Sequence, residues 1–366
     1  MIMVGIGAAS PVLCAAQGNN TGAVFIMTND AKKNQVIAYE RAADGTLSEP
    51  VYYDTNGRGS GGTTDPLESQ GSLTLSQDHS LLFAVNAGSG TVSVFSVHKA
   101  NLTFLNKTAS EGVQPSAVAE SGGLIYVLNS GGPGSVVGFH LDFGGQLTEI
   151  QNSTQFLTGT TSGGASLSFS PDGQFLLVTE RVTNNLDAFH VEADGRLSPI
   201  IVNANPAPGT FTVNYAPNNF AIVSETGPAD GNNASGISSY KVNANGTLTA
   251  VTQSLPTFAS GNCWNAITPD GSKVYVSNSG SNDISGFNIG KDGKLTPIGS
   301  TVVGSIPSGS HNVDIAVSAN GKYLYTINSQ SGKISTFAIN EDGSLTNLGQ
   351  AGNLPNSVGF NGIAAL

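Results

Sequence analysis

Positive charge and cysteine are both scarce in this chain of 366 residues. It carries 14 Lys and Arg against 25 Asp and Glu, so its formal net charge at pH 7 is −11. An acidic protein repels polyanions, and nucleic acid is therefore excluded as an expected partner. Because Cys14 and Cys263 are the only cysteines, no disulfide framework is expected, although a single bridge between them stays open.

Long apolar runs and familiar catalytic motifs are missing as well. No stretch of about 18 apolar residues occurs, so no membrane-spanning helix is expected. The sequence contains no H-E-x-x-H, C-x-x-C or G-x-S-x-G motif. Its five histidines are scattered and its carboxylates are not clustered, which disfavours a transition-metal site. We expect neither a metal nor any other cofactor.

Glycine is abundant instead, with 47 residues, and turn signals separate short strand-like runs. The segment 164–200 shows the pattern most completely, because turns at Pro171-Asp172-Gly173 and Asp194-Gly195 divide it into four runs. The predicted strands cover residues 165–170, 175–179, 186–191 and 197–200. Four antiparallel strands in about 40 to 50 residues are typical of one blade of a β-propeller.

The same unit recurs along the whole chain. An aromatic residue in each predicted third strand precedes a leucine by eight residues in six repeats and by seven in the other. These aromatic anchors are Tyr39, Phe95, Phe139, Phe189, Tyr240, Phe287 and Phe337. The sequence therefore predicts an all-β fold, a seven-bladed β-propeller with four antiparallel strands per blade.

The two ends of the repeat region predict how the ring closes. The first repeat begins directly with AVFIMTN, a second strand, and has no inner strand before it. After the seventh repeat, residues 362–366 form a short apolar run that has no partner in its own repeat. We expect this run to complete blade 1 beside residues 24–28, since closure removes exposed sheet edges. A single propeller domain over residues 23–366 follows.

The N-terminal segment 1–17 is apolar and ends in small residues, which resembles the later part of a secretory signal. It lacks a positive n-region, so a frayed apolar terminus is the alternative. N-x-S/T acceptor triplets support export to a compartment where N-glycans are attached. These triplets begin at Asn19, Asn101, Asn106, Asn152, Asn233 and Asn245. The expected location is the secretory pathway or the outside of the cell.

Candidate site residues follow from blade geometry, because inner strands begin and second strands end on the same face of a propeller. Six of the seven second strands are predicted to end at Asn86, Asn129, Glu180, Glu225, Asn278 and Asn328, and the first at Asn29. The two glutamates break a series of amides, so Glu180 and Glu225 are predicted catalytic residues, together with Arg181. The alternative for the asparagines is that each side chain only bonds the turn after its strand.

The starts of the inner strands supply the other candidates. His311 is the histidine best placed to act as an acid or base. Trp264, the only tryptophan, is predicted to stack on an unsaturated ligand, and its alternative role is that of a core aromatic. The predicted substrate-binding residues are Ser72, Asn86, Asn129, Asn262, Trp264, Asn278, Asp314 and Asn328. The expected partner is a small, largely apolar molecule in a central funnel.

Several repeats resemble the lactonase-like seven-bladed β-propellers, the superfamily of 6-phosphogluconolactonase and carboxymuconate cyclase. The resemblance spans residues 23–366 and is carried by runs such as SFSPDGQFLLVTE, ITPDGSKVYVSNSGSNDISGFNIGKDGKLTPIG and VSANGKYLYTINSQSGKISTFAINEDGSLTNLG. Two further runs, SQGSLTLSQDHSLLFAVNAGSGTV and GNCWNAITPDG, resemble a secreted fungal branch. That branch includes hetero-Diels–Alderases of tropolonic sesquiterpene pathways.

One departure from the family pattern affects the expected reaction. Lactonases of this group carry an Arg-His pair just before an inner strand, where this chain has Ala165 and Ser166, whereas Glu180 matches the family's glutamate. The resemblance therefore implies first a cofactor-free enzyme that positions its substrate for a pericyclic cyclisation. The alternatives are a lactone hydrolase or carboxymuconate-type cyclase using Glu180, Arg181 and His311, and a secreted propeller that only binds a partner.

Overall fold

Seven four-stranded antiparallel sheets form the protein, which was analysed as a computed structural model that describes residues 21–229, 231–355 and 359–366. Within these residues all regular structure is β-strand, and no helix that could cross a membrane is found among them. The predicted all-β, seven-bladed propeller is confirmed, and each sheet is one blade.

The strands follow one another around the ring in chain order. The first three strands of blade 1 are β1 (Gly22–Met27), β2 (Gln35–Arg41) and β3 (Val51–Asp54). Blade 2 contains β4 (Leu73–Leu75), β5 (Leu81–Asn86), β6 (Thr91–His98) and β7 (Asn101–Ala109). Blade 3 contains β8 (Pro115–Ser121), β9 (Leu124–Asn129), β10 (Ser135–Leu141) and β11 (Leu147–Glu149), and the short β12 (Gln155–Phe156) also pairs with β10.

The remaining blades keep the same order. Blade 4 contains β13 (Gly164–Phe169), β14 (Phe175–Glu180), β15 (Asn185–His190) and β16 (Ile201–Ala204). Blade 5 contains β17 (Thr210–Tyr215), β18 (Phe220–Glu225), β19 (Gly236–Val242) and β20 (Leu248–Pro256). Blade 6 contains β21 (Asn262–Ile267), β22 (Lys273–Asn278), β23 (Asp283–Ile289) and β24 (Leu295–Ser305). Blade 7 contains β25 (Asn312–Val317), β26 (Tyr323–Asn328), β27 (Lys333–Ile339) and β28 (Leu345–Ala351).

The C-terminal strand closes the ring, as the sequence predicts. β29 (Ile363–Ala365) pairs antiparallel with β1, so that Ile363 lies opposite Ile26 and Ala365 opposite Val24. It is the inner strand of blade 1, and the sheet order is β29, β1, β2, β3. Blade 1 therefore combines both ends of the repeat region, which leaves the inner edge of β1 paired.

The aromatic anchors hold neighbouring blades together. All seven lie on the third strands of their blades and are at most 5% exposed. They pack with apolar residues of the first and second strands into clusters that join adjacent blades, and one cluster spans blades 1, 2 and 3. Because each sheet is buried on both faces by its neighbours, the second strands read as nearly continuous apolar runs.

One strand prediction needs correction. The sequence predicts a fourth strand of blade 4 over residues 197–200, but the structure places β16 four residues later. Leu197 makes only an isolated bridge with Val191. Pro199 interrupts this stretch, because proline has no N–H to donate to the sheet, and regular pairing resumes at Ile201.

The inner strands surround the central channel and share an irregularity. A break in pairing register occurs in β8, β13, β17, β21 and β25, near the start of each strand. Such β-bulges turn a side chain away from its regular direction and are frequent beside binding sites. We call the face where the inner strands begin the strand-start face and the opposite one the strand-end face.

Candidate functional site

A segment between blades 1 and 2 fills the channel at the strand-start face. We call residues 65–71 the central plug. The Ser69 hydroxyl donates to the Ser116 carbonyl of blade 3 over 2.9 Å, and the Gln70 N–H donates to the Ala165 carbonyl of blade 4 over 3.0 Å. The Trp264 indole N–H of blade 6 donates to the Ser69 carbonyl over 3.0 Å. The plug is thus fixed to blades on several sides of the channel.

The Gln70 side chain continues these bonds into the channel. Its Nε2 donates to the Asn265 carbonyl and to Asp314 Oδ1, each over 3.0 Å, and its Oε1 accepts from the Asn265 N–H over 3.1 Å. A glutamine amide has one acceptor oxygen and two N–H donors, and all are used here. The Gln70 side chain therefore closes the channel above the plug backbone and forms the floor of the space beyond it.

Beyond this floor lies a central cavity of about 350 Å³. Its deep end is formed by Gln70, Ser166 and Asp314, near the starts of their inner strands. Its mouth is formed by Gln77 and Glu120, near the strand ends, so the cavity opens on the strand-end face. Grooves of larger volume lie among the strand-connecting turns of neighbouring blades, but the central cavity collects residues from six blades.

Asp314 holds the deepest carboxyl group in this cavity, and an unusual backbone conformation places it there. It lies at the bulge of β25 with φ = 51°, in the left-handed region that side-chain-bearing residues rarely adopt. The corresponding Ser116, Ala165 and Cys263 are not among the described residues with positive φ. Such strain persists only where surrounding bonds impose it and concentrates at functional sites.

Hydrogen bonds fix the Asp314 carboxyl group. Its Oδ1 accepts from Gln70 Nε2 and from the Ile315 N–H over 2.9 Å, while Oδ2 accepts from the Ile363 N–H over 3.2 Å. The residue is only 2% exposed. Burial disfavours the charged form and outweighs these donors, so the pKa of Asp314 is raised to about 7. A carboxyl with this pKa exchanges protons readily at neutral pH.

The rest of the wall is mixed. Ser166, Ser168, Asn214 and Thr74 bring hydroxyl and amide groups, and Leu73, Val118, Leu167, Phe169 and Ile363 are apolar lining residues. At the mouth, Glu120 Oε2 accepts from the Gln77 N–H over 2.9 Å and Oε1 accepts from the Gly123 N–H over 3.0 Å. These bonds fix a second carboxylate at the entrance.

Among the twelve residues predicted as catalytic or substrate-binding, Asp314 is the one that lines this cavity. The structure places the two predicted catalytic glutamates inside their blades, at most 1% exposed. Glu180 accepts from the Thr158 N–H over 2.6 Å, from Asn185 Nδ2 over 3.2 Å and from the hydroxyls of Thr158 and Thr183. Glu225 accepts from the Ser238 hydroxyl and from Asn205 Nδ2.

A second carboxyl group accompanies Glu180. Asp187 is fully buried, and neither of its oxygens has a hydrogen-bond donor among the described residues. Burial and the neighbouring Glu180 raise the pKa of Asp187 to about 9, so it is protonated at neutral pH. Burial alone would raise the pKa of Glu180, but the neighbouring Asp187 and the donors on Thr158 and Thr183 lower it.

Arg181 and His311 lie at the strand-start face. Arg181 is half-buried and forms an ion pair with Glu68 of the central plug. His311 is also half-buried and has φ = 48°, and its N–H donates to Asn282 Oδ1 over 2.8 Å. The structure therefore does not bring these two side chains together with Asp314 in one cavity.

The other predicted binding residues are buried in the protein. Trp264 is 1% exposed and packs edge-on against Phe211, with 5.3 Å between ring centroids. Asn262 Nδ2 donates to the Gly236 carbonyl over 2.6 Å, and the Ser72 hydroxyl donates to Asn361 Oδ1 over 2.8 Å. All three side chains have partners within the protein, which matches the alternative core role stated for Trp264.

The four asparagines are also fully buried, and three of them follow one rule. Each donates from Nδ2 to a serine hydroxyl seven residues later, on the third strand of the same blade. The pairs are Asn86 with Ser93, Asn278 with Ser285, and Asn328 with Ser335. Asn129 instead donates to the Ser110 carbonyl over 3.2 Å. In blade 4, Glu180 and Asp187 occupy the positions of this asparagine–serine pair.

The remaining predictions concern the surface and the N-terminus. Residues 1–17, Cys14 and Asn19 lie outside the described residues. Among the other predicted glycan acceptors, Asn101, Asn152, Asn233 and Asn245 are exposed and Asn106 is half-buried. Cys263 is a free thiol, and burial raises its pKa. Glycosylation and export stay predictions.

Sequence reasoning identified Asp314 but missed most of its surroundings. Ser168, Asn214 and Glu120 were not predicted as site residues, and the plug was not predicted at all. The available signal was Asp314 itself, an acid between the apolar residues Val313 and Ile315 of the strand NVDIAV. The position of Gln70 depends on long-range contacts, 195 residues away in the case of Asn265, that no local pattern contains.

The fold and its central cavity define the class: a seven-bladed β-propeller with one cavity closed at the strand-start face. A family model described as "Lactonase, 7-bladed beta-propeller" matches residues 219–360. The resemblance to lactonase-like propellers seen in the repeats is therefore confirmed. A search among curated proteins finds no match.

Solved structures share the fold over almost the whole chain. A protein from Lactobacillus plantarum has a TM-score of 0.73 at 19% identity, covering 93% of this chain and 99% of that one. A periplasmic gluconolactonase from Pseudomonas aeruginosa has a TM-score of 0.71 at 17% identity, covering 93% and 98%. A candidate 6-phosphogluconolactonase from Bacteroides uniformis has a TM-score of 0.68 at 21% identity, covering 93% and 100%. At such identities the likeness shows a common fold.

Proposed function

We propose that the protein is a cofactor-independent enzyme that hydrolyses a small cyclic ester, a lactone, in the central cavity, with Asp314 as general base. The observation that carries this proposal is the position of Asp314: a buried carboxyl group, held in a strained backbone conformation, at the deep end of the cavity. The match to the lactonase family model supports the reaction class.

The reaction needs one proton acceptor and one polarised carbonyl. The Asp314 carboxylate takes a proton from water as the water oxygen bonds to the lactone carbonyl carbon. The ring C–O bond then breaks, and the leaving oxygen takes the proton back from the Asp314 carboxyl, which gives the open hydroxy acid. The Ser168 hydroxyl, which lines the cavity, is the proposed donor to the developing oxyanion, because the Ser166 hydroxyl and the Asn214 Nδ2 already donate to Val213 and Asn265.

The roles of the other predicted residues follow from their partners. Glu180, Glu225, Trp264 and the buried asparagines lie outside the cavity and form hydrogen bonds within the protein, so we propose that they maintain the blades. The missing Arg-His pair then excludes only a mechanism located at the strand-start face. A base at Asp314 does not require that pair.

A pericyclic cyclisation, the first function implied by the fungal resemblance, is the second candidate. It is favoured by the apolar lining residues of the cavity, which include Leu167, Phe169 and Ile363. A volume of about 350 Å³ is near the lower end for ligand pockets, however, and small for a terpene together with its diene partner. Such a reaction also needs no general base. Lactone hydrolysis is therefore preferred.

A blocked cavity tests the location of the activity. Ser168→Trp fills the cavity, whereas Val113→Trp adds the same side chain at a position 63% exposed on the strand-start side. We expect pH-stat assays with a panel of small lactones to detect turnover by the wild type and Val113→Trp, and none by a folded Ser168→Trp. Full activity in Ser168→Trp would refute the proposed site, and no turnover of any lactone by the wild type would favour the cyclase or the binding propeller.

Export through the secretory route is proposed as well. It is supported by the exposed acceptors Asn101, Asn152, Asn233 and Asn245. Protein made in a fungal host should lose mass when treated with an amidase that removes N-glycans. An unchanged mass would favour a location outside the secretory route.

A further inference from the structure

The central cavity contains acidic side chains but no basic one. Asp314 lies at its deep end and Glu120 at its mouth, and no Lys, Arg or His belongs to the described residues that line it. Arg181 is paired with Glu68 at the strand-start face, beyond the Gln70 floor. A ligand that enters from the strand-end face therefore passes one carboxylate and reaches another without meeting a cation of the protein.

We propose that the substrate is an uncharged, hydroxyl-bearing lactone, and that the cavity rejects lactones that carry a phosphate or carboxylate group. This rests on the proposed hydrolysis in the same cavity. The fold alone is compatible with both neutral and anionic lactones. The charges that line the cavity are therefore what would distinguish this chain from enzymes with anionic substrates.

The charge argument has two parts. An anionic ligand loses its hydration on entry and finds no buried cation to replace it, which makes binding unfavourable. The negative charge of such a ligand would also lie between Glu120 and Asp314. Repulsion between like charges in a binding site strongly weakens binding. These effects weaken binding even if the ring itself fits.

An anion also interferes with the proposed base. Asp314 accepts a proton from water only when it is ionised, and a nearby negative charge favours its protonated form. No basic side chain among the described lining residues compensates. An anionic substrate would therefore reduce both binding and the fraction of active base at neutral pH.

The polar part of the wall suits hydroxyl groups. Ser168 and Asn214 are half-buried, and Thr74 donates to the Gly71 carbonyl over 3.0 Å and keeps its acceptor positions for a ligand. Glu120 and Asp314 are acceptors for substrate hydroxyls as well. A polyhydroxylated ring can bond to these groups without bringing a charge into the cavity.

A matched pair of substrates tests this directly: glucono-1,5-lactone and its 6-phosphate have the same ring and differ in charge. After subtraction of spontaneous hydrolysis, we expect kcat/KM for the neutral lactone to exceed that for the phosphorylated one by about 100-fold. Glu120→Gln should reduce this ratio about tenfold by removing the charge at the mouth, and Gln77→Lys should reduce it further. Glu111→Gln, an exposed acid outside the cavity lining, should leave the ratio unchanged.

Binding of unhydrolysable lactams separates the two hypotheses. Calorimetry should show that the neutral gluconolactam binds and its 6-phosphate does not. If the neutral lactam binds selectively but no lactone is hydrolysed, the proposed function is wrong and the charge selection stands. If the phosphorylated lactone is hydrolysed as well as the neutral one, the charge selection is wrong and the function stands. Failure of both lactams to bind overturns both.

Discussion

The two ends of the central channel are built from the same inner strands, but one end is closed by the plug and the other is an open cavity. At the strand-start face the plug residues Ser69 and Gln70 bond to several blades and close the channel. At the strand-end face the hydroxyls, the Asn214 amide and two carboxylates surround an open cavity. A polar residue of the channel thus marks a ligand site only where it lines open space.

The largest effect that this comparison predicts is on turnover. Asp314→Asn removes the base at the open end, and we expect kcat to fall on the order of 10³-fold. Glu225→Gln is the matched control, since it neutralises a buried carboxyl group outside the cavity, and activity should change little. Steady-state kinetics with a neutral lactone provide the measurement. If both variants fold and lose comparable kcat, the proposed difference between the two ends of the channel is refuted.

Trp264→Ala should have a large effect on stability and a small one on chemistry. It removes a buried indole that packs on Phe211 and donates to Ser69 of the plug, so the free energy of unfolding should fall by about 3–5 kcal/mol. Urea denaturation measures this loss. Because the indole is not part of the cavity, kcat/KM measured where the variant is folded should stay within a few-fold of the wild type. Trp264→Phe, which keeps a ring but not the N–H, should lose less stability.

The Glu180–Asp187 pair predicts a pH dependence of stability. The pKa of Asp187 is raised to about 9 in the folded state, so its contribution is complete at acidic pH and is lost as the pH rises towards 9. From pH 7 to pH 9, unfolding should become easier by about 2 kcal/mol through this group. Asp187→Asn has no proton to lose and should flatten the profile. If the free energy of unfolding depends equally on pH in the wild type and the variant, the pKa of Asp187 is not raised in the folded protein.

Gln70 connects the two regions and should give the smallest effect. Gln70→Ala removes the Nε2 donor to Asp314, which raises the pKa of that carboxyl group and lowers the ionised fraction at pH 7. We expect a loss of about tenfold in kcat at pH 7 and a shift of the rising limb of the pH–rate profile to higher pH. Glu68→Gln changes a plug residue that bonds to Arg181 and not to Asp314. It should leave the rising limb of the pH–rate profile at the same pH.

The ring could be predicted from sequence because it is built from local, repeated signals. The anchors from Tyr39 to Phe337, the turns such as Pro171-Asp172-Gly173 and the partnerless C-terminal run each follow from a few neighbouring residues. The fourth strand of blade 4 was misplaced because the effect of Pro199 on pairing outweighed the apolar pattern.

The site was less predictable, since the same residue types occur at both ends of the channel. Glu180 and Glu225 stood out among asparagines, but they are buried inside their blades and bond to Thr158 and Asn205, which lie in connecting segments. Gln70 and Asp314 are 244 residues apart in sequence and meet only in the folded ring. Composition and spacing indicated which residues were polar, whereas the cavity depends on which of them the fold leaves accessible.

A crystal structure with the unhydrolysable gluconolactam bound is the most direct test of the account. We predict ligand density in the central cavity, with the lactam carbonyl near Asp314 and the ring hydroxyls towards Glu120, and an unchanged plug. Density at the strand-start face, against Arg181 and His311, would contradict the assignment of the site to the open end of the channel.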